Sequence, residues 1–221
     1  MVMKIIGINA SPKGNASNTL QLVKSVLEGA ESEGAETELV DLYKLHIEYC
    51  TACGTCYAKG ECPLIDDFEE LFEKIMNADG IVLGAPNYIN SVPTPMKALF
   101  DRLSDAIHCQ MLTGKFGCSV CTAGGSGEDE VLKYMNGVLM NLGVTVVGGI
   151  GVVVGRDPSA LQRLQDLLRI LGRSWQSQSA EKSNIPIRMK HISSAENIFA
   201  SWQNSIKSAL PMIITGMYRR D

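Results

Sequence analysis

Short apolar runs rich in valine and isoleucine alternate with segments of helical periodicity along the first 175 residues of the chain. Bounded apolar runs of this length are typical of buried strands, and apolar residues at steps of three and four are typical of amphipathic helices. Leu20, Val23 and Leu27 illustrate the second pattern, because they would share one helical face. The pattern predicts strands over residues 3–9, 37–41, 80–85, 115–122 and 144–154, and helices over residues 19–33, 67–78, 95–107, 129–142 and 159–175.

Strict alternation of strand and helix predicts an α/β fold, because parallel strands need a crossover segment between them. We expect a doubly wound sheet of five parallel strands in the order 2-1-3-4-5, with helices on both faces. Polar residues become frequent near Ser174, which favours a linker there. We therefore expect residues 1–178 to form one domain and residues 179–221 to form a helical C-terminal extension, with a helix over residues 192–212.

The composition describes an ordinary globular chain of 221 residues, with 45% hydrophobic residues, 20% charged residues and a net charge of -4. This mild acidity argues against nucleic acid and anionic membranes as partners. The first residues lead into a predicted strand without the pattern of a secretory signal, and we find no membrane span, so we expect a cytoplasmic protein. In a reducing compartment the seven cysteines would be thiols or metal ligands, and we expect Cys109, Cys118 and Cys121 to be small core residues.

The loop over residues 9–19 connects the first predicted strand to the first predicted helix. It offers hydroxyls, amides, a flexible Gly14 and the free N–H groups of a helix start, which together suit a phosphate dianion. The loop matches neither G-x-G-x-x-G nor Walker A, so a monophosphate such as that of FMN fits better than a pyrophosphate. A plain turn with Ser17 as the N-cap is the alternative.

Two further loops follow predicted strands at the same edge of the sheet. The loop over residues 84–95 contains prolines that stiffen the backbone and Tyr88, whose ring offers a flat surface to a flavin. The loop over residues 122–127 is rich in glycine, which lets a backbone approach a ligand closely. The alternatives are an ordinary strand-to-helix connection for the first and a mobile loop for the second. Open parallel sheets bind ligands at the carboxyl ends of their strands, so the shared edge favours a binding site.

Four cysteines lie within thirteen residues of the loop over residues 47–65, at Cys50, Cys53, Cys56 and Cys62. The spacing C-x2-C-x2-C-x5-C is typical of an iron–sulfur cluster loop, in which three closely spaced thiolates wrap part of the cluster and the fourth closes it. A zinc site and four bare thiols are the alternatives. Because this loop follows the second predicted strand, we expect it on the same edge as the other three loops.

These motifs together make the chain similar to the iron–sulfur flavoprotein family, within the flavodoxin-like NAD(P)H-dependent FMN reductases. The resemblance covers about residues 3–175 and rests on Gly7-x-Asn-Ala-Ser11-Pro-Lys13, on the cysteine loop and on Ala85-Pro86-x-Tyr88. It implies a flavodoxin-like domain that binds FMN and a [4Fe–4S] cluster. It places the FMN phosphate at Ser11, Lys13, Ser17, Asn18 and Thr19, the flavin ring at Pro86, Asn87, Tyr88, Ile89, Thr122, Ala123, Gly124 and Gly125, and the cluster at Cys50, Cys53, Cys56 and Cys62.

The leading hypothesis is an FMN-dependent oxidoreductase that passes electrons between a one-electron carrier such as ferredoxin and a two-electron donor or acceptor through the cluster. The first alternative is an NAD(P)H-dependent FMN or quinone reductase without a cluster. The second is a cysteine-rich metal or redox sensor on a flavodoxin-like scaffold. A small molecule would be the acceptor, and the resemblance implies a homodimer or homotetramer. No side chain is assigned a catalytic role, and the acidic residues at 66–70 are interpreted as favourable charges at a helix start.

Overall fold

The computed structural model describes residues 2–155, together with residues 161, 162, 165, 168, 169 and 173. Its strands are β1 (Lys4–Asn9), β2 (Glu36–Asp41), β3 (Gly80–Pro86), β4 (Phe116–Ala123) and β5 (Thr145–Val153). They form one parallel sheet in the order β2-β1-β3-β4-β5. This topology confirms the predicted fold class and places the carboxyl ends of all five strands at one edge.

The helices within residues 2–155 are α1 (Asn18–Glu31), α2 (Thr55–Lys59), α3 (Phe68–Asn77), α4 (Thr94–Arg102), α5 (Ser104–His108) and α6 (Glu128–Asn141). Short 3-10 turns occur at Gly14–Ala16 and Leu42–Lys44. The prediction of one helix over residues 95–107 is wrong, because the chain turns between α4 and α5. Leu103 has a ψ of 11° and shares its N–H between the carbonyls of Leu99 and Phe100. The turn brings the Leu103 side chain into the core, where it is 3% exposed.

Apolar side chains pack on both faces of the sheet. On one face α1 lies against β1 and β3, and Gly7 makes room for it. A Cβ at Gly7 would lie 2.8 Å from Val23 Cγ1 and 2.9 Å from Leu27 Cδ1. On the other face Ile6 and Ile8 belong to one apolar cluster with buried residues of α3, α4 and α6. The near-continuous apolar runs of β1, β3 and β4 follow from this burial on both sides, whereas the edge strand β2 is largely exposed.

The described positions between residues 161 and 173 are helical, in agreement with the predicted helix over residues 159–175. Leu168 is fully buried, and Arg169 donates a hydrogen bond of 3.1 Å to Glu28 of α1. The predicted extension over residues 179–221 lies outside the described residues, as does its helix over residues 192–212, so the domain boundary stays a prediction. Within the described part of the chain, no helix has the length and apolar character needed to cross a membrane.

The three cysteines outside the cysteine loop do not share one environment. Cys118 and Cys121 of β4 are fully buried, as predicted, and burial raises the pKa of each thiol to about 12. Cys109 is exposed instead, because α5 ends at His108 and the chain leaves the core there. The expectation of a core position for Cys109 is therefore wrong.

Candidate flavin site and cysteine cavity

The loop after β1 leads through a 3-10 turn into the capped start of α1. Ser17 is buried, and its Oγ accepts the Leu20 N–H at 3.0 Å, so Ser17 is the N-cap that the alternative interpretation of this loop predicted. The backbone N–H groups of Asn18 and Thr19 have no acceptor within the described residues and are available to a ligand. Lys13 is exposed in the same loop. Free N–H groups at a helix start and a cation close to them in sequence suit a phosphate.

Asn9, the last residue of β1, belongs to this loop although it was not among the predicted site residues. Its side chain is buried, and its Oδ1 accepts the N–H of Ser11 at 3.3 Å. Its Nδ2 has no hydrogen-bond partner within the described residues. A buried amide donor without a partner is costly, so this nitrogen is suited to an acceptor on a ligand. The signal in the sequence is a polar residue that ends an otherwise apolar strand.

The loop after β3 contains a tight two-residue turn. Tyr88 and Ser91 exchange two backbone hydrogen bonds of 2.9 and 3.1 Å, and the residues between them, Ile89 and Asn90, have φ angles of 52° and 57°. A β-branched residue is unfavourable in this left-handed conformation. The Ile89 side chain is nevertheless 99% exposed. The turn therefore holds an apolar side chain outward at the edge where the flavin ring is predicted.

Asn87 joins the loop after β3 to the glycine-rich loop after β4. Its backbone N–H donates to the Thr122 carbonyl at 2.8 Å, and its Nδ2 donates to the Ser126 carbonyl at 2.5 Å. Its buried Oδ1 has no partner within the described residues. Gly124 and Gly125 are exposed, and a Cβ on either would meet no described atom within 4 Å. Two of the predicted ring loops are thus held together beside open space.

A hydrogen bond between the buried Thr19 and Thr122 hydroxyls, 2.6 Å long, connects α1 to the end of β4. Both residues were predicted to contact FMN. Because one hydroxyl must donate to the other, the pair keeps a single O–H for a ligand. Thr19 and Thr122 can therefore not both donate to a bound cofactor while this bond persists.

The residues at this edge fit FMN. The loop after β1 supplies free N–H groups, the Ser11 and Ser17 hydroxyls and the Lys13 ammonium for a phosphate, and the two joined loops border a space for a flat ring. The unpartnered polar atoms of Asn9 and Asn87 lie in these same loops. None of these assignments depends on a catalytic side chain, since a bound flavin would supply the redox chemistry.

The four predicted metal ligands line a single cavity of about 370 Å³. The loop that carries them contains the short helix α2, which lies between Gly54 and Gly60, both in the left-handed conformation. Asp101, Arg102 and Ser104 lie on the same cavity wall. None of the seven cysteines is part of a disulfide. Hydrogen bonding between Thr55 and the Cys53 sulfur lowers the pKa of the Cys53 thiol, which favours the thiolate form that metals bind. The cavity lining contains Cys50, Cys53, Cys56 and Cys62.

This donor set fits a [4Fe–4S] cluster. No three histidine, cysteine or acidic side chains among the described residues are arranged around a single ion position. A zinc ion would need its sulfur ligands about 2.3 Å from one centre. Four thiolates around a larger common space suit a cluster, because each thiolate there binds a different iron atom.

Asp66 and Arg102 form a buried ion pair beside this cavity. The acidic run at 66–70 did not predict this pair. Their side chains are 0% and 1% exposed, and Arg102 Nη2 donates to Asp66 Oδ1 at 3.2 Å. Arg102 also donates to the Glu48 carbonyl at 3.1 Å, and its guanidinium lies 4.5 Å from the centre of the Phe68 ring. Asp66 accepts the N–H of Phe68 at 3.0 Å, so the expected helix-start role is present as well.

The two partners hold each other in their charged forms. Burial alone would raise the pKa of Asp66, but hydrogen bonds from Arg102 and from backbone N–H groups, with the charge of Arg102, lower it overall. Burial alone would lower the pKa of Arg102, but Asp66 and then Cys62 raise it overall. A permanent positive charge is therefore fixed in the wall of the cysteine cavity.

Helix α4 extends from the predicted flavin loop to the cysteine cavity. It begins at Thr94, immediately after the loop that follows β3, and it ends at Arg102 in the cavity wall. Nine residues rise about 12 Å along a helix axis from first to last. One rigid element thus connects the two sites.

The strand order, with the candidate site loops at the carboxyl edge, defines a flavodoxin-like fold. The family model described as NADPH-dependent FMN reductase matches residues 3–159, and the chain belongs to this family. It is accordingly a flavin-dependent oxidoreductase with FMN as its cofactor.

The relatives confirm the predicted family more narrowly. An iron-sulfur flavoprotein from Archaeoglobus fulgidus is 41% identical over 159 residues, which cover 69% of this chain and 71% of the relative. One from Methanocaldococcus jannaschii is 34% identical over 160 residues, which cover 72% and 79%. A solved NAD(P)H:quinone oxidoreductase from Methanothermobacter marburgensis has a TM-score of 0.63 at 22% identity, covering 80% of this chain and 98% of that chain, and it supports the fold.

Proposed function

We propose that this FMN-dependent oxidoreductase passes single electrons through a [4Fe–4S] cluster between a carrier such as ferredoxin and its flavin. The flavin would exchange electron pairs with a small-molecule acceptor or with NAD(P)H. The observation that carries the proposal is the single cavity lined by all four cysteines of the loop over residues 47–65. The names of the two relatives, both iron-sulfur flavoproteins, support it.

In this proposal the chain positions and separates two redox groups. Ser11, Lys13 and the first N–H groups of α1 bind the FMN phosphate, and the loops joined by Asn87 border its ring. Bound FMN would supply the conversion between paired and single electrons. Helix α4 sets the spacing between the flavin loop and the cysteine cavity, because its two ends belong to the two sites.

The description of the family favours NADPH as an electron donor, which gives a second candidate function. In an NAD(P)H-dependent FMN or quinone reductase without a cluster, hydride would reach the flavin directly. The four cysteines would then have no part in electron transfer. The two candidates differ in whether iron and sulfide are present and in whether electrons from ferredoxin depend on them.

The test compares wild-type protein with Cys56→Ser and with the control Cys109→Ser, all purified without air. Cys56 lines the cavity, whereas Cys109 is an exposed cysteine outside its lining. Iron, acid-labile sulfide and FMN are measured per chain, and stopped-flow absorbance follows flavin reduction by reduced ferredoxin and by NADPH. We expect wild type and Cys109→Ser to hold about four iron atoms per chain, and Cys56→Ser to keep FMN but lose iron and reduction by ferredoxin.

Equally fast flavin reduction by ferredoxin in an iron-free Cys56→Ser protein would contradict the electron route. Wild-type protein that contains FMN without iron or sulfide would favour the second candidate. Protein that binds zinc, but neither FMN nor iron, would favour the hypothesis of a metal or redox sensor.

We also propose that the chain forms a homodimer or homotetramer. Apolar side chains next to both sites are open to solvent, with Tyr49 68%, Ile65 101% and Ile89 99% exposed. A second copy of the chain could cover them. Light scattering of the FMN-loaded protein at micromolar concentration measures the assembly, and a monomer would contradict this proposal.

A further inference from the structure

Arg102, the last residue of α4, has a hydrogen-bond donor for which the described residues provide no acceptor. Its Nη atoms donate to Asp66 and to the Glu48 carbonyl, but its buried Nε has no partner within the described residues. A buried guanidinium N–H without an acceptor costs free energy. This buried N–H is therefore suited to an acceptor that the described residues do not provide.

The cysteine cavity is the place where such an acceptor would lie. Arg102 lines this cavity, and it also lines a smaller neighbouring one with Cys56 and Cys62. Burial lowers the pKa of Arg102, and Asp66 raises it. The Cys62 sulfur lies close enough to the guanidinium to raise this pKa as well. Nε is nonetheless left without a hydrogen bond of normal geometry. A cluster bound to Cys62 would bring further sulfur acceptors to this wall.

We propose that Arg102 is a positioning residue for the cluster. The fixed charge and the Nε–H group of Arg102 stabilise the reduced cluster and so raise the reduction potential of the cluster. This inference rests on the proposed function, because it needs the cluster to be present. When one electron enters the cluster, no bond forms or breaks and the cluster becomes more negative by one charge. A buried cation and a hydrogen bond to sulfur stabilise that charge.

Asp66 has the opposite effect on the potential although it holds Arg102 in place. Its carboxylate is a buried negative charge near the same cavity, so it disfavours an added electron. Because Arg102 lines the cavity and Asp66 is not among its lining residues, the effect of Arg102 should exceed that of Asp66. The ion pair therefore predicts opposite shifts when either partner is neutralised.

The experiment uses anaerobically purified, full-length variants in which amides replace the charges: Arg102→Gln, Asp66→Asn and the double variant. The control Lys74→Gln removes one positive charge from an exposed ion pair on α3, outside both sites. The reduction potential of the cluster is measured by a redox titration with dithionite, monitored by electron paramagnetic resonance. The rate of iron loss to a chelator is measured separately.

We expect the potential to fall in Arg102→Gln, to rise in Asp66→Asn, to fall modestly in the double variant and to match wild type in Lys74→Gln. Iron loss should become about tenfold faster in Arg102→Gln, as for other groups that support metal ligands. A purely structural role for Arg102 could accelerate iron loss, but it would not produce shifts of opposite sign.

Shifts of the same sign in the two single variants, or no shift in either, would overturn the proposal. Arg102→Gln could fail to fold, because it leaves Asp66 unpaired. The proposal is then tested by the potentials of Asp66→Asn and of the double variant, since the double variant leaves no unpaired buried charge. Wild-type protein without iron and sulfide would instead contradict the proposed function. The two failures are therefore distinguishable.

Discussion

Thr19 and Thr122 allow the connection between the first and third loops of the flavin site to be measured as a free energy. Their hydroxyl oxygens are 2.6 Å apart, and the two residues are 0% and 8% exposed. Replacing either threonine by valine removes one hydroxyl and leaves the other buried without its partner. An unpaired buried polar group costs about 1–3 kcal/mol, so we expect each single variant to lose about 1–2 kcal/mol of unfolding free energy.

The double variant Thr19→Val, Thr122→Val should lose less than the sum of the two single losses. Valine has nearly the shape of threonine, and replacing both partners of a hydrogen bond by apolar groups can be almost neutral. We therefore expect a coupling energy of about 1–2 kcal/mol in the double-mutant cycle.

The assay is urea unfolding of the apoprotein, followed by far-UV circular dichroism and by tryptophan fluorescence. Thr37→Val is a matched control, because the hydrogen bond that the Thr37 hydroxyl donates to Glu31 is exposed to solvent, and we expect its loss to change stability by no more than about 0.5 kcal/mol. Additive losses in the cycle would refute the reasoning, since they would mean that the two hydroxyls do not depend on each other. Altered denaturant slopes would instead point to a changed unfolded state.

Three further predictions concern the apoprotein. Gly7→Ala should lower the unfolding free energy in urea by about 1–3 kcal/mol because its Cβ would overlap Val23 and Leu27, and an unchanged midpoint would contradict this packing. Ile89→Asn should raise the thermal midpoint and increase the free energy of unfolding by about 1 kcal/mol, because asparagine tolerates a φ of 52° better than isoleucine does. A lower midpoint would argue against backbone strain at Ile89. The pKa of Asp66 is lowered on folding. The contribution of Asp66 to the free energy of unfolding should therefore be complete above about pH 5, and it should be lost as the pH falls towards the pKa of Asp66 in the folded protein. Urea unfolding of wild type and Asp66→Asn should show a stability gap that shrinks below about pH 4, and a gap that widens there would contradict the shift.

The strands could be predicted because they follow from local patterns, and their order could be predicted because doubly wound parallel sheets have few topologies. Buried parallel strands are apolar on both sides, so each appears as a short apolar run between helical segments. The break after α4 could not be predicted in the same way. Leu103 is apolar and fits the helical period, and only its packing into the core shows that the chain turns there.

The positions of the candidate site loops could likewise be predicted, but their internal contacts could not. Glycines, prolines and cysteines at fixed spacings identify loops that suit a phosphate, a flat ring and a cluster. Asp66 and Arg102 are separated by 36 positions, and Asp66 lies in an acidic run that suits a helix start equally well. Their burial and pairing arise only when the start of α3 meets the end of α4.

Helix α4 gives the two sites a common mechanical support. Pro93 and Pro95 restrict the backbone where the helix begins, and Met96 and Leu99 are fully buried along its length. Its last residue, Arg102, is held by hydrogen bonds to Asp66 and Glu48. A helix fixed at both ends and along one face cannot slide by part of a turn without breaking several of these contacts. The distance between the predicted flavin loop and the cysteine cavity should therefore depend more on the packing of α4 than on either loop. The proposed electron transfer would then tolerate changes in loop sequence better than changes beneath this helix.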